Sequence, residues 1–204
     1  KSHIVWKKKM TLLNRREVVA CLLSPRDDLL VIAGLGAPAW DITAAGDHAL
    51  NFPMWGGMGG AITTGLGLAL AQPRKRVLVV TGDGELLMGL NSLATVGVSQ
   101  PKNLAIVVLD NEIYGETGKQ KTHTGFGVDL MSIASACGFS NSSIIRSNSE
   151  LVALKKDLDG SGLIFAQVKV DPQSDELVLP PRDGALLKNR FREALLGDQC
   201  HLSN

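Results

Sequence analysis

Several kinds of residue are scarce in this chain, and each scarcity removes a class of explanation. It has 3 cysteines in 204 residues, Cys21, Cys137 and Cys200, far apart and in no CxxC spacing. An odd, scattered set argues against a disulfide framework or a zinc site and predicts reduced thiols in a cytoplasmic protein. Aromatic residues make up 4%, with a single tyrosine, so there are few platforms on which single-stranded nucleic acid could stack. Charge of one sign is also lacking: the formal net charge is +1, and the basic residues are scattered apart from Lys7-Lys8-Lys9. Neither nucleic acid nor an anionic membrane is the expected partner.

The opening "KSHIVWKKKM" lacks the long apolar core of a signal peptide. Residues 1–10 are read as an extension without fixed structure ahead of a start at Met10, and 11–204 as one domain. Residues 49–73 carry no charged side chain and are long enough to span a bilayer. They hold Asn51, Pro53 and many glycines, however, including a Gly56/Gly60 GxxxG pair. The better reading is a tightly packed crossing inside a soluble domain.

What is present is a series of apolar runs: "LLVIAG" (29–34), "RVLVVT" (76–81), "NLAIVVLD" (103–110) and "LIFAQVKV" (163–170), with a shorter "SIIR" (143–146). Helical patterns separate them. Asn14 with Glu17 opens a helix running to about Leu23, and small residues build one over 57–71. Others are expected over 86–98, from Asp129 to Gly138, from Ser149 to about Leu158, and from Asp183 to Gly197. Continuous apolar strands alternating with helices predict a three-layer α/β/α domain with a mostly parallel sheet. Ligands of such sheets bind beyond the carboxyl ends of the strands.

Three loops are expected there. "GLGAPAWD" (34–41) contains G-x-G-x-x-A, a partial dinucleotide fingerprint. No helix is evident before the next strand and no acid closes it, so the expectation is a glycine turn. The other two loops act together. Asp83, in "GDGE", follows one strand and Asn111 follows another, with 26 residues between Gly84 and Asn111. A carboxylate, an amide oxygen and a nearby carbonyl form a partial oxygen shell suited to Mg²⁺, which leaves other positions to water and phosphates. An isolated GDG is more simply a helix cap; the pairing with "LDN" is what favours metal and diphosphate.

"GDG", 26 residues, then "N" resembles the diphosphate-binding motif of thiamine diphosphate enzymes. "WGGMGGAITTGLGLALAQPRKRV" is similar to the segment preceding that motif in 2-oxoacid decarboxylases and acetolactate synthases. "LATVGVSQPKNLAIVVLDNEIYGETG", "THTGFGVDLMSIASACGF" and "RFREAL" resemble sulfopyruvate decarboxylase beta subunits and phosphonopyruvate decarboxylases. The likeness implies a thiamine diphosphate-binding fold of the diphosphate-binding (PP) type from about Asn14 to Leu196.

It also implies roles. Asp83, Asn111 and the Ile113 carbonyl would hold Mg²⁺, and backbone amides around Gly82, Gly84, Glu85 and Gly115 would hold the diphosphate. Met58 would shape the folded cofactor, and the Gly56 carbonyl would meet its aminopyrimidine. The activity implied is non-oxidative decarboxylation of a small anionic 2-oxo acid, with the cofactor as electron sink. His123 is the candidate for proton transfer, and Lys119, Lys121, Thr122 and Thr124 for substrate contact. The family pattern is less basic at Lys119 and Lys121, a departure that bears on the substrate. No glutamate of this chain sits in the context of the one that activates the cofactor's pyrimidine. A separate Pyr-domain chain is therefore the implied partner, with self-association possible when that chain is missing. Competing readings are the beta subunit of a 2-oxoacid oxidoreductase, weakened by the lack of iron–sulfur cysteines, and a cofactor-binding subunit without turnover.

Overall fold

A computed structural model describes residues 12–173 and 175–201. The extension expected over 1–10 lies outside them. The chain runs α1 (Arg15–Leu22), β1 (Leu30–Ala33), α2 (Ala37–Ala44), β2 (Asn51–Pro53), α3 (Ala61–Ala71), β3 (Val77–Gly82), α4 (Asp83–Met88) and α5 (Ser92–Ser99). It continues through β4 (Leu104–Asp110), a hairpin of β5 (Ile113–Tyr114) and β6 (Gln120–Lys121), and a 3-10 turn (His123–Phe126). Then come α6 (Leu130–Ala136), β7 (Asn141–Ile145), α7 (Asn148–Leu158), β8 (Ile164–Lys169), α8 (Gly184–Leu196) and a last 3-10 turn.

Six strands form one sheet in the order β2-β1-β3-β4-β8-β7, every pair parallel. The apolar runs look continuous because both faces are covered. Val31, Leu78, Val80 and Val107 pack with α1, α2 and α7 on one side. Ile32, Val79, Ile106 and Phe165 pack with α3, α5, α6 and α8 on the other. The three-layer α/β/α architecture predicted from the sequence is the one observed. No described helix is long and apolar enough to cross a membrane.

Several elements differ from expectation. Helix α3 starts at Ala61 rather than 57, because Gly57 and Gly59 adopt φ of 69° and 90° and form a turn. The helix expected over 86–98 is two, broken around Gly89. The cap of α7 is Ser147, not Ser149, in a reciprocal capping box with Glu150. Loop 34–41 does lead into a helix, α2, which begins after Gly36 (φ 82°) with a proline in its first turn. Still no acid closes the following strand, Asn51–Pro53, so the dinucleotide fingerprint remains incomplete.

The chain leaves β1 through α2 to β2 on one side, then returns through α3 to β3 on the other. That reversal opens a crevice at the carboxyl ends of β1 and β3, the place where such sheets bind ligands.

Candidate active site

A cleft of about 770 Å³ occupies that crevice, within the range of ordinary cofactor sites. Leu35, Ala37 and Pro38 line it from the β1–α2 connection, and Gly82 to Glu85 from the end of β3. Asn111, Ile113, Tyr114 and Gly115 contribute from beyond β4, and Met58 and Met88 line it as well. Eight of the nine expected cofactor residues, Met58, Gly82, Asp83, Gly84, Glu85, Asn111, Ile113 and Gly115, therefore share one cavity. Gly56, the ninth, lies in the same turn as Met58 but is not among the residues lining the cleft.

Asp83 opens α4 and is almost wholly buried. Thr122 Oγ1 donates to its Oδ2 at 2.5 Å, and Thr124 Oγ1 approaches the same oxygen at 2.9 Å. Thr124 Oγ1 also lies 2.8 Å from Asp110 Oδ1. Two hydroxyls thus make three contacts with carboxylate oxygens while carrying only two protons. Burial pushes the Asp83 carboxyl up to about 6; the Thr122 bond opposes this and the neighbouring Asp110 charge adds to it. Asp110 is the better-paired acid. It takes Gln167 Nε2 at 2.6 Å, Lys169 Nζ at 2.8 Å and the Glu112 N–H at 3.2 Å. Lys169 also reaches Glu112 at 2.6 Å. Burial works against the ammonium charge, but the bonds to Asp110 and Glu112 prevail and leave its pKa raised.

Asn111 begins a tight turn in which its Oδ1 accepts the Ile113 N–H at 3.1 Å and Glu112 adopts φ 64°. This turn brings Ile113 beside Asn111 at the cleft wall. Gly84 is required for a different reason: a Cβ there would lie 2.5 Å from the Tyr114 ring, so the hairpin could not close over α4.

The residues expected to meet substrate are arranged otherwise. Thr122 and Thr124 are buried beneath Asp83 rather than turned toward the cleft, because the 3-10 turn tucks their hydroxyls against its carboxylate. Lys119, Lys121 and His123 are exposed and do not line the cavity; Lys121 sits over the Phe126 ring at 5.5 Å. Glu85 was expected to matter through its amide, yet its side chain is buried and bonded to Gly59 and Ala61.

Sequence reasoning overlooked Asp110, Gln167, Lys169 and Arg15. A signal for three of them was present. Gln167 and Lys169 interrupt a buried strand at alternate positions, which places both on one face, where a buried acid is the natural partner. Arg15 lines the cleft and pairs with the buried Asp41 at 2.5 Å. Burial raises the Asp41 pKa in spite of Arg15 and Arg16.

Residues 35–168 match the family described as "Thiamine pyrophosphate enzyme, C-terminal TPP binding domain". The chain belongs to this family. It is 36% identical over 169 residues to the sulfopyruvate decarboxylase subunit beta of Methanocaldococcus jannaschii, covering 81% of this chain and 88% of that one. It is 40% identical over 170 residues to the phosphonopyruvate decarboxylase of Streptomyces viridochromogenes, covering 82% of this chain and 42% of the relative. The sulfopyruvate decarboxylase of Methanosarcina acetivorans is 36% identical, and here the match covers 89% of this chain and 47% of the relative. The chain thus spans about half the length of some relatives and nearly all of the beta subunits. Among solved structures, benzoylformate decarboxylase from Polynucleobacter necessarius superposes with a TM-score of 0.67 at 19% identity, over 81% of this chain and 34% of that one. At that identity the likeness concerns the fold.

The residues present fit a Mg²⁺-diphosphate group. Gly82 and Gly115 both line the cleft, and a Cβ built on either meets no protein atom within 4 Å, so a side chain there would fill the cavity itself. Both hydroxyls on Asp83 go to Oδ2, which leaves Oδ1 for a cation. An all-oxygen donor set of carboxylate, amide and carbonyl suits Mg²⁺ better than a softer metal.

Proposed function

We propose that the chain is the diphosphate-binding subunit of a thiamine diphosphate-dependent, non-oxidative decarboxylase acting on a small anionic 2-oxo acid of the sulfopyruvate or phosphonopyruvate kind. The observation that carries this reading is the gathering of Asp83, Asn111 and Ile113 around one cleft at the sheet's switch point. The names of the curated relatives support the reaction class.

Asp83, Asn111 and the Ile113 carbonyl would hold Mg²⁺, and the amides around Gly84 and Gly115 would receive diphosphate oxygens. The bound cofactor supplies the electron sink for loss of carbon dioxide. The chain's own contribution is orientation. Thr122 and Thr124 fix the Asp83 carboxylate, the Asn111 turn sets the Ile113 carbonyl, and Met58 forms the apolar wall against which the cofactor would rest. Four acids line the cleft: Glu85 is bonded to backbone amides, Asp83 would serve the metal, Asp175 pairs with Arg15 at 3.5 Å, and Glu116 stands against Gly36 at the β1–α2 connection. None of these acids sits in the sequence context of the carboxylate that activates the pyrimidine, and that carboxylate is assigned to a Pyr-domain partner chain, in keeping with the subunit naming of the relatives. His123, Lys119 and Lys121 lie on the hairpin and the turn after it, so any contact with substrate requires the partner to build the outer wall.

The test is reconstitution with a Pyr-domain partner and calorimetric titration of thiamine diphosphate with and without Mg²⁺. Carbon dioxide release from sulfopyruvate and phosphonopyruvate is then assayed. Binding that depends on Mg²⁺ and disappears in Asp83→Ala is expected. Cofactor binding indifferent to both, or no binding in the complex, would overturn the proposal.

A further inference from the structure

The side chain of Glu85 solves a problem that lies in another element. Helix α3 has eleven residues from Ala61, but its N-cap is Gly60, which has no side chain with which to cap it. Its first amides would be left without acceptors in a buried setting. Glu85, from the helix after β3, reaches across. Its Oε1 accepts the Gly59 N–H at 2.9 Å and the Ala61 N–H at 3.2 Å, while Oε2 takes the Thr81 hydroxyl. Room for the carboxylate exists because residue 34 is glycine: a Cβ there would stand 3.1 Å from Glu85 Oε2 and 2.9 Å from Thr81 Oγ1. Next to this bridge the two segments touch backbone to backbone. A Cβ on Gly89 would fall 2.1 Å from the Gly59 carbonyl oxygen.

The 57–61 turn, which carries Met58, is thus tied at two points to the 82–89 segment, which carries Asp83 and Gly84. Both segments line the same cleft. We propose that Glu85 is a positioning residue that locks the Met58 turn to the Asp83 turn and so fixes the spacing between the cleft's diphosphate end and its ring end. This rests on the cofactor reading given above. A ligand held by both ends gains full affinity only when the two halves of its site are already in register, since ordering them on binding consumes interaction energy. The bridge also accounts for an acid so close to a diphosphate. Its charge points into the positive end of α3 and is met by charge-assisted bonds from backbone amides.

The test uses the complex with the Pyr-domain partner, the variants Glu85→Ala and Glu85→Gln, and two ligands, thiamine diphosphate and inorganic pyrophosphate, each with Mg²⁺. Pyrophosphate needs only the Asp83 end; thiamine diphosphate needs both. Glu85→Ala is expected to weaken thiamine diphosphate by about tenfold or more and pyrophosphate by less than about threefold. Glu85→Gln keeps an acceptor for the two amides and is expected to recover most of the loss. If Glu85→Ala fails to fold, Gly34→Ala displaces the carboxylate without deleting it, and the same split between ligands is expected. An equal loss for both ligands, or no loss for thiamine diphosphate, would overturn the inference. Wild-type complex that binds no thiamine diphosphate refutes the cofactor reading instead. In that event hydrogen exchange at the Gly59 and Ala61 amides still decides whether Glu85 holds the turn: fast exchange in Glu85→Ala alone supports it, and unchanged exchange sinks it.

Discussion

Replacing Asp83 by asparagine should make the metal-free chain more stable while removing its capacity to hold Mg²⁺. The carboxylate is buried, lies near the Asp110 charge, and has two threonine hydroxyls and no cation as side-chain partners among the described residues. A carboxyl raised from 3.8 to about 6 is opposed, once ionised, by about 3 kcal/mol relative to the unfolded chain. The unfolded chain releases this proton near 3.8 and the native chain near 6. Stability contributed by the site is therefore complete below the lower value, is lost as pH rises through the upper one, and stays lost at pH 8. Asparagine is isosteric, keeps an acceptor for the threonines and never ionises. A gain of about 1–3 kcal/mol at pH 8, shrinking toward zero near pH 4, is the expected result. Urea denaturation of both chains across that range, with chelator present, measures it. An Asp83→Asn chain less stable than wild type at pH 8, or a difference that ignores pH, would refute the reasoning. In the complex, the same substitution should abolish Mg²⁺-dependent cofactor binding.

Lys169→Met leaves Asp110 buried without its cation and is expected to destabilise the chain by about 3 kcal/mol in urea denaturation, whereas the double change with Asp110→Asn recovers much of it. Thr122→Val deletes the 2.5 Å bond to Asp83 and should lower Mg²⁺-dependent affinity by about tenfold in calorimetry, an effect of about 1.4 kcal/mol. Gly84→Ala drives a methyl into the Tyr114 ring and should unseat the β5–β6 hairpin, read as loss of protection for the Thr122 amide, which donates to the Glu112 carbonyl at 2.9 Å. His123→Ala, on an exposed turn outside the cleft lining, should leave cofactor affinity of the complex unchanged in the same titration.

The apolar runs at 29–34, 76–81, 103–110 and 163–170 were enough to establish a parallel sheet covered on both faces. A strand buried on both sides cannot hide that fact in its composition. Asp83 and Asn111 were likewise legible as a pair, because both follow such strands and parallel strands end at the same edge. Helix α2 was not legible: Ala37, Pro38 and Trp40 give no amphipathic stripe, and the helix is held by the sheet beneath it and by Asp41 bridging to Arg15. The break at Gly89 was hidden for a related reason. It arises where two backbones touch, and Gly59 is thirty residues away in sequence.

Side-chain roles that depend on distant neighbours were decided by the tertiary structure alone. Thr122 and Thr124 looked like substrate contacts until the 3-10 turn folded them under Asp83. Glu85 offered the sequence reading only its amide, and the structure sets its carboxylate against the Gly59 and Ala61 amides at the start of α3. By itself the sequence determined which residues would stand at the edge of the sheet, because periodicity and glycine placement are local properties of the chain. Which of them line the cleft and which bond to each other was settled only when the sheet, the hairpin and α3 converged. Burial, not residue type, decides which partner a polar group must find.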